Sequence, residues 1–197
     1  MRQRVNHYER AFRAWLARHE IPYTAVSQAQ KAQVAGAKLK SFDLIVYPRC
    51  KGRLIVDVKG RKLPAGAWRQ RRWGQSWTTA EDLIGLQGWE EVFGRDYLGI
   101  FVFAYWVVGV EPDEADLADI CLDGRHYVFV AAERCGYQVR CKPRSPRWGT
   151  VFVPAKPFDN LVQPFGRFIG LRPTYTMRRQ EGSPQRTQST QRNFLTG

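Results

Sequence analysis

Three charged residues in the first third of the chain have the types and spacing for metal-assisted chemistry. Asp43 opens the run DLIVY, and Asp57 and Lys59 lie within the run RLIVDVKG. Carboxylates inside β-branched runs are costly to bury unless they are paired or bound to a metal. Asp57 and Lys59 are two residues apart, so in a strand both side chains leave the same face, roughly 6.6 Å apart along it. The pattern predicts a metal site beside an amine that can handle a proton.

Mg²⁺ suits this set of side chains, and Mn²⁺ is the alternative ion. Mg²⁺ takes oxygen ligands in octahedral geometry and usually keeps several waters, with one or two carboxylates from the protein. We predict Asp43 and Asp57 as direct ligands, joined by the carbonyl of Val58. Such an ion polarises a phosphate and lowers the pKa of a bound water. Lys59 would orient or deprotonate that water and offset charge on the phosphorus.

The elements that must position these residues are predicted from periodicity and turn signals. Residues 41–47 and 53–60 are strand-like runs joined by the turn-like PRCKG, which predicts a β-hairpin. An amphipathic helix over 4–20 precedes them, ended by Pro22, with a short strand over 23–28. Thr79 is a predicted N-cap, with Asp82 where Glu or Gln is usual, for a helix over 80–93 that stops at Gly94.

A central strand, apolar on both faces, is predicted over 97–110, and further strands over 126–131 and 150–153. The order helix, three strands, helix, strand predicts an α/β fold in which helices flank a mixed central sheet. The connector 61–77 between the hairpin and the second helix is basic and rich in tryptophan.

On these residues the chain resembles the PD-(D/E)xK superfamily of restriction-endonuclease-like nucleases. Asp43, then a hairpin, then Asp57-Val58-Lys59 matches the signature, although no proline precedes Asp43 and Asp57 stands where glutamate is commoner. The superfamily core is α-β-β-β-α-β, the order predicted above. Many members carry a glutamate on the first helix that completes the metal site. Glu9 matches that position, and the resemblance implies that it binds through water or holds a second ion.

Two narrower resemblances add to this one. The motif spacing is similar to that of archaeal Holliday-junction resolvases, which supply Glu, Asp, Glu and Lys in this order. The segment HYERAF, residues 7–12, resembles the HYExAF opening of an uncharacterised bacterial family. The resemblance covers about residues 5–110 and implies nothing specific for 111–197.

The charge of the chain favours a polyanionic partner. Lys and Arg number 31 against 18 Asp and Glu, which gives a net charge of +13 and a pI near 10.0. Residues 49–72 hold nine basic side chains and one acidic one, whereas residues 80–123 hold eleven acidic side chains and one basic one. This segregation predicts a positive binding face with an acidic opposite side. The alternative is that acidic helix ends and loops happen to cluster in one segment.

Basic residues flank the proposed site in sequence and are candidates for nucleic-acid contact, since cations bind phosphate. These candidates are Lys38, Lys40, Arg61, Lys62, Arg69, Arg71 and Arg72. Trp68, Trp73 and Trp77 interleave with them and either stack on unpaired bases or belong to the core.

The 197-residue chain is long enough for one domain with a tail. We predict a nuclease-like domain over 1–170, with a C-terminal β extension over 111–170, and a basic, disordered tail over 171–197. No apolar run approaches the roughly 18 residues of a membrane span, and no secretory signal opens the chain. A cytoplasmic protein with reduced thiols is expected, and a zinc site of Cys121, His126, Cys135 and Cys141 is disfavoured because no CxxC is present.

The leading hypothesis is a metal-dependent endo- or exonuclease that cuts DNA in preference to RNA. Phosphate contacts carry no sequence information, so selection by structure is favoured over a fixed recognition sequence. One alternative is a purely structural role, in which Asp43 or Asp57 forms a strand-edge salt bridge with Lys59 or Arg61. A second is an inactive nucleic-acid-binding module on the same fold, which would bind in a salt-sensitive way and be inert with every metal. Another is a membrane-surface or scaffold protein that uses the basic tail. A homodimer would suit paired cuts, although no feature demands one.

Overall fold

The computed structural model describes residues 6–26, 40–49, 52–74 and 76–171. The predictions for Lys38, for the end of the first strand and for the basic tail beyond residue 171 therefore lie outside the described residues. The predicted order α-β-β-β-α-β is present in the first half, with a short helix, Ala65–Arg69, and a two-residue strand, Thr78–Thr79, inserted before the second long helix.

The chain enters the fold through helix α1, His7–Arg18. Asn6 caps it by accepting a hydrogen bond from the backbone N–H of Tyr8 at 3.2 Å. Its apolar stripe is buried against the sheet, as the three- and four-residue spacing predicts. The buried members of that stripe are Ala11, Phe12, Trp15 and Leu16.

The described part of the chain forms a seven-stranded mixed sheet. Its strands are β1 (Tyr23–Ala25), β2 (Leu44–Val46), β3 (Arg53–Pro64), β5 (Tyr97–Val108), β6 (Ile120–Leu122), β7 (Arg125–Glu133) and β10 (Gln163–Pro164). The sheet order is β1-β2-β3-β5-β7-β10, with β6 also paired to β7. Strands β3 and β5 run parallel over twelve register pairs, and the other pairings are antiparallel. The mixed α/β sheet flanked by helices is thus confirmed.

Two cores form because alternate residues of each strand face opposite sides of the sheet. Leu54, Val56 and Ile100 pack with α1 and with the 3₁₀ segment Phe165–Ile169. Ile55 and Phe101 pack on the other face against the remaining helices. Those helices are α2 (Ala65–Arg69), α3 (Ala80–Phe93), α4 (Arg134–Arg140) and α5 (Ala155–Leu161).

A second, smaller sheet lies beside the first. It has the order β4-β9-β8, with β4 at Thr78–Thr79, β9 at Thr150–Phe152 and β8 at Lys142–Ser145. β8 and β9 form a hairpin whose connection contains the 3₁₀ turn Pro146–Trp148. Strand β4 leads directly into α3, so the small sheet is tied to the first turn of that helix.

The basic connector differs from the prediction. β3 continues past Gly60 to Pro64 because β5 pairs with it along its whole length, as far as the register pair Pro64↔Val108. Trp68 and Trp73 are core residues, only 2% and 1% exposed. The alternative, that they stack on unpaired bases, is therefore wrong.

Among the helices of the described residues, none is long and apolar enough to cross a membrane.

Gly60 is required where α1 crosses β3. A Cβ at this position would overlap the ring of Tyr8. Gly60→Ala should therefore destabilise the fold by about 1–3 kcal/mol, the usual cost of overpacking. Truncating the ring in Gly60→Ala/Tyr8→Ala should give a favourable coupling energy between the two sites. The measurement is urea unfolding of the single and double variants.

Gly66→Ala is the matched control for this prediction, because a Cβ at Gly66 meets nothing within 4 Å. It should be neutral or slightly stabilising, since Gly66 lies in α2. A Gly60→Ala protein as stable as the Gly66→Ala protein would contradict the assigned packing.

Candidate functional site

The candidate site lies on the face of β3 that packs against α3, where the odd-numbered side chains of the strand point. Ile55 belongs to the core on the α3 side, whereas Val56 belongs to the core on the α1 side. Asp57 and Lys59 follow Ile55 at two-residue steps and share its face, as the strand period predicts. Their side chains are only 8% and 16% exposed. The predicted pair therefore lies beneath α3, mostly out of solvent.

Asp43 is attached to the same strand from the other arm of the hairpin. Its backbone N–H donates to the carbonyl of Val56 at 3.0 Å. Its carboxylate Oδ2 accepts from the backbone N–H of Val58 at 2.8 Å. Asp43 immediately precedes β2, so its side chain accepts where the ladder between β2 and β3 ends. The hairpin thereby fixes the Asp43 carboxylate beside the strand that bears Asp57 and Lys59.

The Lys59 ammonium is shared by two carboxylates. Its Nζ lies 2.9 Å from Oδ2 of Asp57 and 2.8 Å from Oδ2 of Asp82. Asp82 belongs to the first turn of α3 and is only 5% exposed. The ion pair therefore joins the central strand to the helix that covers it. The Lys59–Asp57 pair is also one of the strand-edge salt bridges that the purely structural alternative predicts.

Asp82 is the site residue that sequence reasoning missed. It was predicted as part of the α3 capping box with Thr79, and that box is confirmed. Its carboxylate also accepts from Thr78 Oγ1 at 2.8 Å, and its Oδ1 lies 2.9 Å from Nζ of Lys40. One feature of the sequence could have indicated this second role: a capping box commonly uses the longer Glu or Gln where this chain has Asp82.

The electrostatics of the three groups differ because their surroundings differ. Burial raises the pKa of Asp57 to about 6, with Lys59 opposing the shift and the charge of Asp43 adding to it. Burial alone would lower the pKa of Lys59, but Asp57 and Asp82 outweigh it and the pKa is raised. Burial opposes ionisation of Asp82, but Lys59, Lys40 and the Thr79 backbone hold its pKa well below its usual range.

The donor set near Asp43 and Asp57 fits a hard divalent cation. Both side chains offer carboxylate oxygens, and mutual repulsion contributes to the raised pKa of Asp57, so added positive charge would be favourable there. Mg²⁺ needs only one or two protein carboxylates. Within the described ranges, no three His, Cys, Asp or Glu side chains are grouped so that they could hold a metal ion. A site here would therefore be completed by backbone oxygen and water.

The structure places Glu9 on α1, partly buried, with its carboxylate 3.8 Å from the Arg13 guanidinium. Among the described residues Glu9 forms no metal-holding group with Asp43 and Asp57, so its role as a further ligand, through water, stays a prediction. The alternative zinc set is not assembled among the described residues, and Cys121 and Cys135 are exposed thiols.

The predicted nucleic-acid-binding residues fall into different settings. Lys40 reaches the site, and its Nζ also donates to Thr79 Oγ1 at 3.1 Å. Arg61 is only 8% exposed, donates to the Gly60 and Trp77 carbonyls and lies 3.9 Å from the Trp77 ring centroid. These contacts hold the guanidinium within the protein, and the predicted role of Arg61 in nucleic-acid binding stays a prediction.

The remaining basic candidates lie farther along the connector. Lys62 is exposed and lies 4.9 Å from the Trp106 ring centroid. Arg69 forms a forked ion pair with Glu114, with distances of 2.5 and 2.6 Å. Arg71 lies over Trp68, with 5.7 Å to the ring centroid, and Arg72 is exposed.

Comparison with solved structures shows a distant likeness. The chain is similar to the structure of Hjc, a Holliday junction resolvase from the archaeal hyperthermophile Archaeoglobus fulgidus, with a TM-score of 0.48 and 10% sequence identity. The match covers 83% of this chain and 98% of that chain. No family model and no curated protein matches the sequence. The resemblance of residues 7–12 to the HYExAF family is therefore not supported.

The raised pKa of Asp57 has a measurable consequence for stability. The folded value of about 6 exceeds the ordinary value of 3.8, so the native state keeps a proton that the unfolded chain has lost between these pH values. The contribution of Asp57 to the free energy of unfolding must fall as pH rises from 4 to 7. Asp57→Asn should gain stability relative to wild type over that range, by about 1–3 kcal/mol.

The measurement is urea unfolding of wild type and Asp57→Asn at pH 4, 5, 6 and 7. Asp96→Asn is the control, because Asp96 is exposed and distant in sequence from the cluster. Its stability difference from wild type should change much less with pH. If the Asp57→Asn difference is equally flat, the assigned burial of the charge is wrong.

Proposed function

We propose that this chain is a metal-dependent nuclease that hydrolyses phosphodiester bonds in nucleic acid, DNA in preference to RNA. The observation that carries the proposal is the sharing of the Lys59 ammonium by Asp57 and Asp82, beside the Asp43 carboxylate on the same hairpin. Carboxylates for a cation and a lysine for the developing charge are the parts that such hydrolysis needs.

Asp43, Asp57 and the carbonyl of Val58 would hold Mg²⁺ or Mn²⁺. When bound, the ion supplies a Lewis acid that polarises the phosphate and lowers the pKa of a coordinated water. Glu9 is proposed as a further ligand, through water. Asp57 is best suited to this role above about pH 6, where it is ionised even without the ion.

Lys59 acts as a charged hydrogen-bond donor. Its pKa is raised above the ordinary value by Asp57 and Asp82, so at neutral pH the group is an ammonium with no free electron pair. It can orient the attacking water and stabilise charge on a phosphate oxygen, but it cannot remove the proton. Of the two roles predicted for this lysine, orientation of the water is therefore the one retained.

Asp82 and Lys40 are positioning residues in this account. Asp82 fixes the Lys59 amine from α3, and Lys40 offsets part of the negative charge from the solvent side, where 41% of its side chain is exposed. Without Asp82, the lysine would keep Asp57 as its acceptor. Competition between Lys59 and the ion for the Asp57 oxygen would then increase.

A purely structural role explains the cluster less well. A buried ion pair is weak support for stability, because the cost of desolvating both charges offsets their attraction. Strongly perturbed groups gathered at one position are more typical of functional sites. The Lys59–Asp57 ion pair is nevertheless the one that a purely structural role predicts, so the cleavage assay must separate the two interpretations.

The test is cleavage of plasmid, single-stranded, duplex and branched DNA, and of RNA, with Mg²⁺ or Mn²⁺. Asp57→Asn and Lys59→Gln should each lower the rate by about 10²–10⁴-fold, because they remove a cation ligand and a charged donor. Asp82→Asn should lower it less, by about tenfold, since it only loosens Lys59.

Asp96→Asn and Lys156→Gln are matched controls that change an exposed Asp and an exposed Lys elsewhere. Both should cleave at the wild-type rate. Wild-type rates in Asp57→Asn or Lys59→Gln would refute the assignment. A wild-type protein that binds DNA in a salt-sensitive way, yet is inert with every metal, would establish the binding module instead.

A further inference from the structure

The β8–β9 hairpin is a basic element that the sequence analysis did not single out. From Arg140 to Phe152 the chain has four basic residues and no acidic one. Lys142, Arg144 and Arg147 are all exposed. Their side chains give this hairpin a strongly positive surface, which is typical of an element that contacts a polyanion.

A large aromatic side chain projects from the same hairpin. Trp148 is 70% exposed, in contrast to the buried Trp68 and Trp73 of the connector. Arg147 lies beside it, with its Cζ 5.5 Å from the ring centroid. A single exposed indole flanked by cations offers a stacking face for a base, with charges placed for the adjoining phosphates.

The hairpin is held in one place rather than left free. Pro146 begins its 3₁₀ turn, and Gly149 closes it with a φ of +55°, a conformation that favours glycine. Arg144 lies 5.1 Å from the ring centroid of Trp77, on which Arg61 also stacks. These contacts fix the base of the hairpin against the connector.

Two further contacts place the hairpin beside the candidate site. The backbone N–H of Ala80, the first residue of α3, donates to the carbonyl of Gly149 at 2.8 Å. Thr78 pairs with Val151 of β9, while its hydroxyl donates to Asp82. The chain of contacts thus runs from Trp148 and Gly149 through β4 to Asp82 and so to Lys59.

A cavity of about 310 Å³ opens between the hairpin and the connector. Its lining includes aromatic rings and a guanidinium, contributed by Trp73, Trp77, Arg144 and Phe152. The cavity lies at the base of the hairpin, and Trp148 at the tip is not among its lining residues. Flat, polarisable groups with a negative charge nearby are the chemistry that such a lining accommodates.

We propose that the β8–β9 hairpin is a nucleic-acid-binding arm that selects strands with unpaired bases. Arg144 and Arg147 bind the phosphates, and Trp148 stacks on an exposed base. The inference deepens the proposed function, on which its role in presenting a strand to the site rests. It supplies a physical basis for selection by structure, because a fully paired duplex keeps its bases stacked on each other and offers no free face to Trp148.

Nucleic acid fits this arm better than a membrane surface does. Pro143 and Pro146 add no long apolar side chain, so Trp148 is the one large apolar group at the tip. An interfacial anchor combines a broad apolar face with its cations. One indole with a guanidinium beside it, and a second guanidinium at the base of the hairpin, instead suits the alternation of bases and phosphates along a strand.

The experiment is fluorescence anisotropy with a labelled single-stranded DNA and the blunt duplex of the same sequence, without divalent cations. Trp148→Ala should weaken single-strand binding by about tenfold or more and duplex binding much less. Arg144→Gln and Arg147→Gln should weaken binding of the single strand and of the duplex. Each should also make the dependence of affinity on salt shallower, by the equivalent of about one phosphate contact.

Arg18→Gln and Val139→Ala are the controls. Arg18 is an exposed cation at the end of α1, and Val139 is 82% exposed on α4. Neither variant should change binding of either DNA. The proposal would be overturned if the hairpin variants bind single-stranded DNA as tightly as wild type. It would also be overturned if Trp148→Ala weakens single-strand binding and duplex binding equally.

The outcome is separable from that of the cleavage assay, because binding is measured without catalysis. Single-strand preference lost in Trp148→Ala supports the arm even if the wild-type protein proves inert. Unchanged binding in that variant, together with lost cleavage in Asp57→Asn, overturns the arm and leaves the nuclease assignment intact. Binding to vesicles of anionic lipid, with no binding to either DNA, would make the arm a membrane contact and refute the proposal.

Discussion

The rest of this structure depends on the buried ammonium of Lys59. It is held at 2.9 Å by Asp57 from its own strand and at 2.8 Å by Asp82 from the first turn of α3. A lysine this deep must be paired, because an isolated buried charge is far too costly. The pairing therefore fixes the register between the central strand and the helix that covers it.

Asp82 connects this ion pair to the surrounding elements. It closes the capping box of α3, accepts from Thr78 of β4 and meets Lys40 at the solvent side. The positive end of the helix dipole further favours its ionised form. One carboxylate thus links the main sheet, the helix and the small sheet that carries the basic hairpin.

The charges in the cluster do not balance. Three carboxylates, of Asp43, Asp57 and Asp82, face two amines, of Lys40 and Lys59. Asp82 keeps its charge because both amines stabilise it, whereas burial and the neighbouring acids raise the pKa of Asp57 to about 6. The excess negative charge therefore rests on Asp57 and Asp43, which is where we propose that a divalent cation binds.

The sequence was sufficient for those parts of the fold that depend on local periodicity. Asp57 and Lys59 share a face because a strand repeats every two residues, and α3 begins directly after the Thr79 cap because the capping signal is local. The length of β3 beyond Gly60 could not be predicted in this way, since it depends on pairing with β5, a strand more than thirty residues away in sequence.

The same distinction applies to the site. Asp43, Asp57 and Lys59 were found from spacing, but the second role of Asp82 arises from a contact between residues 23 positions apart. Arg61 was predicted to bind nucleic acid because it flanks the site in sequence, and its burial against Trp77 follows only from the tertiary packing. The exposure of Trp148 likewise depends on how β9 pairs with β4, which no local pattern encodes.

The most direct test of the central claim is calorimetric titration of the protein with Mn²⁺ in the absence of nucleic acid. We predict binding that weakens at least about tenfold in Asp43→Asn and in Asp57→Asn, is unchanged in Asp96→Asn, and is lost below pH 6 as Asp57 takes up a proton. Absence of binding to the wild-type protein, or equal affinity in all three variants, would contradict it.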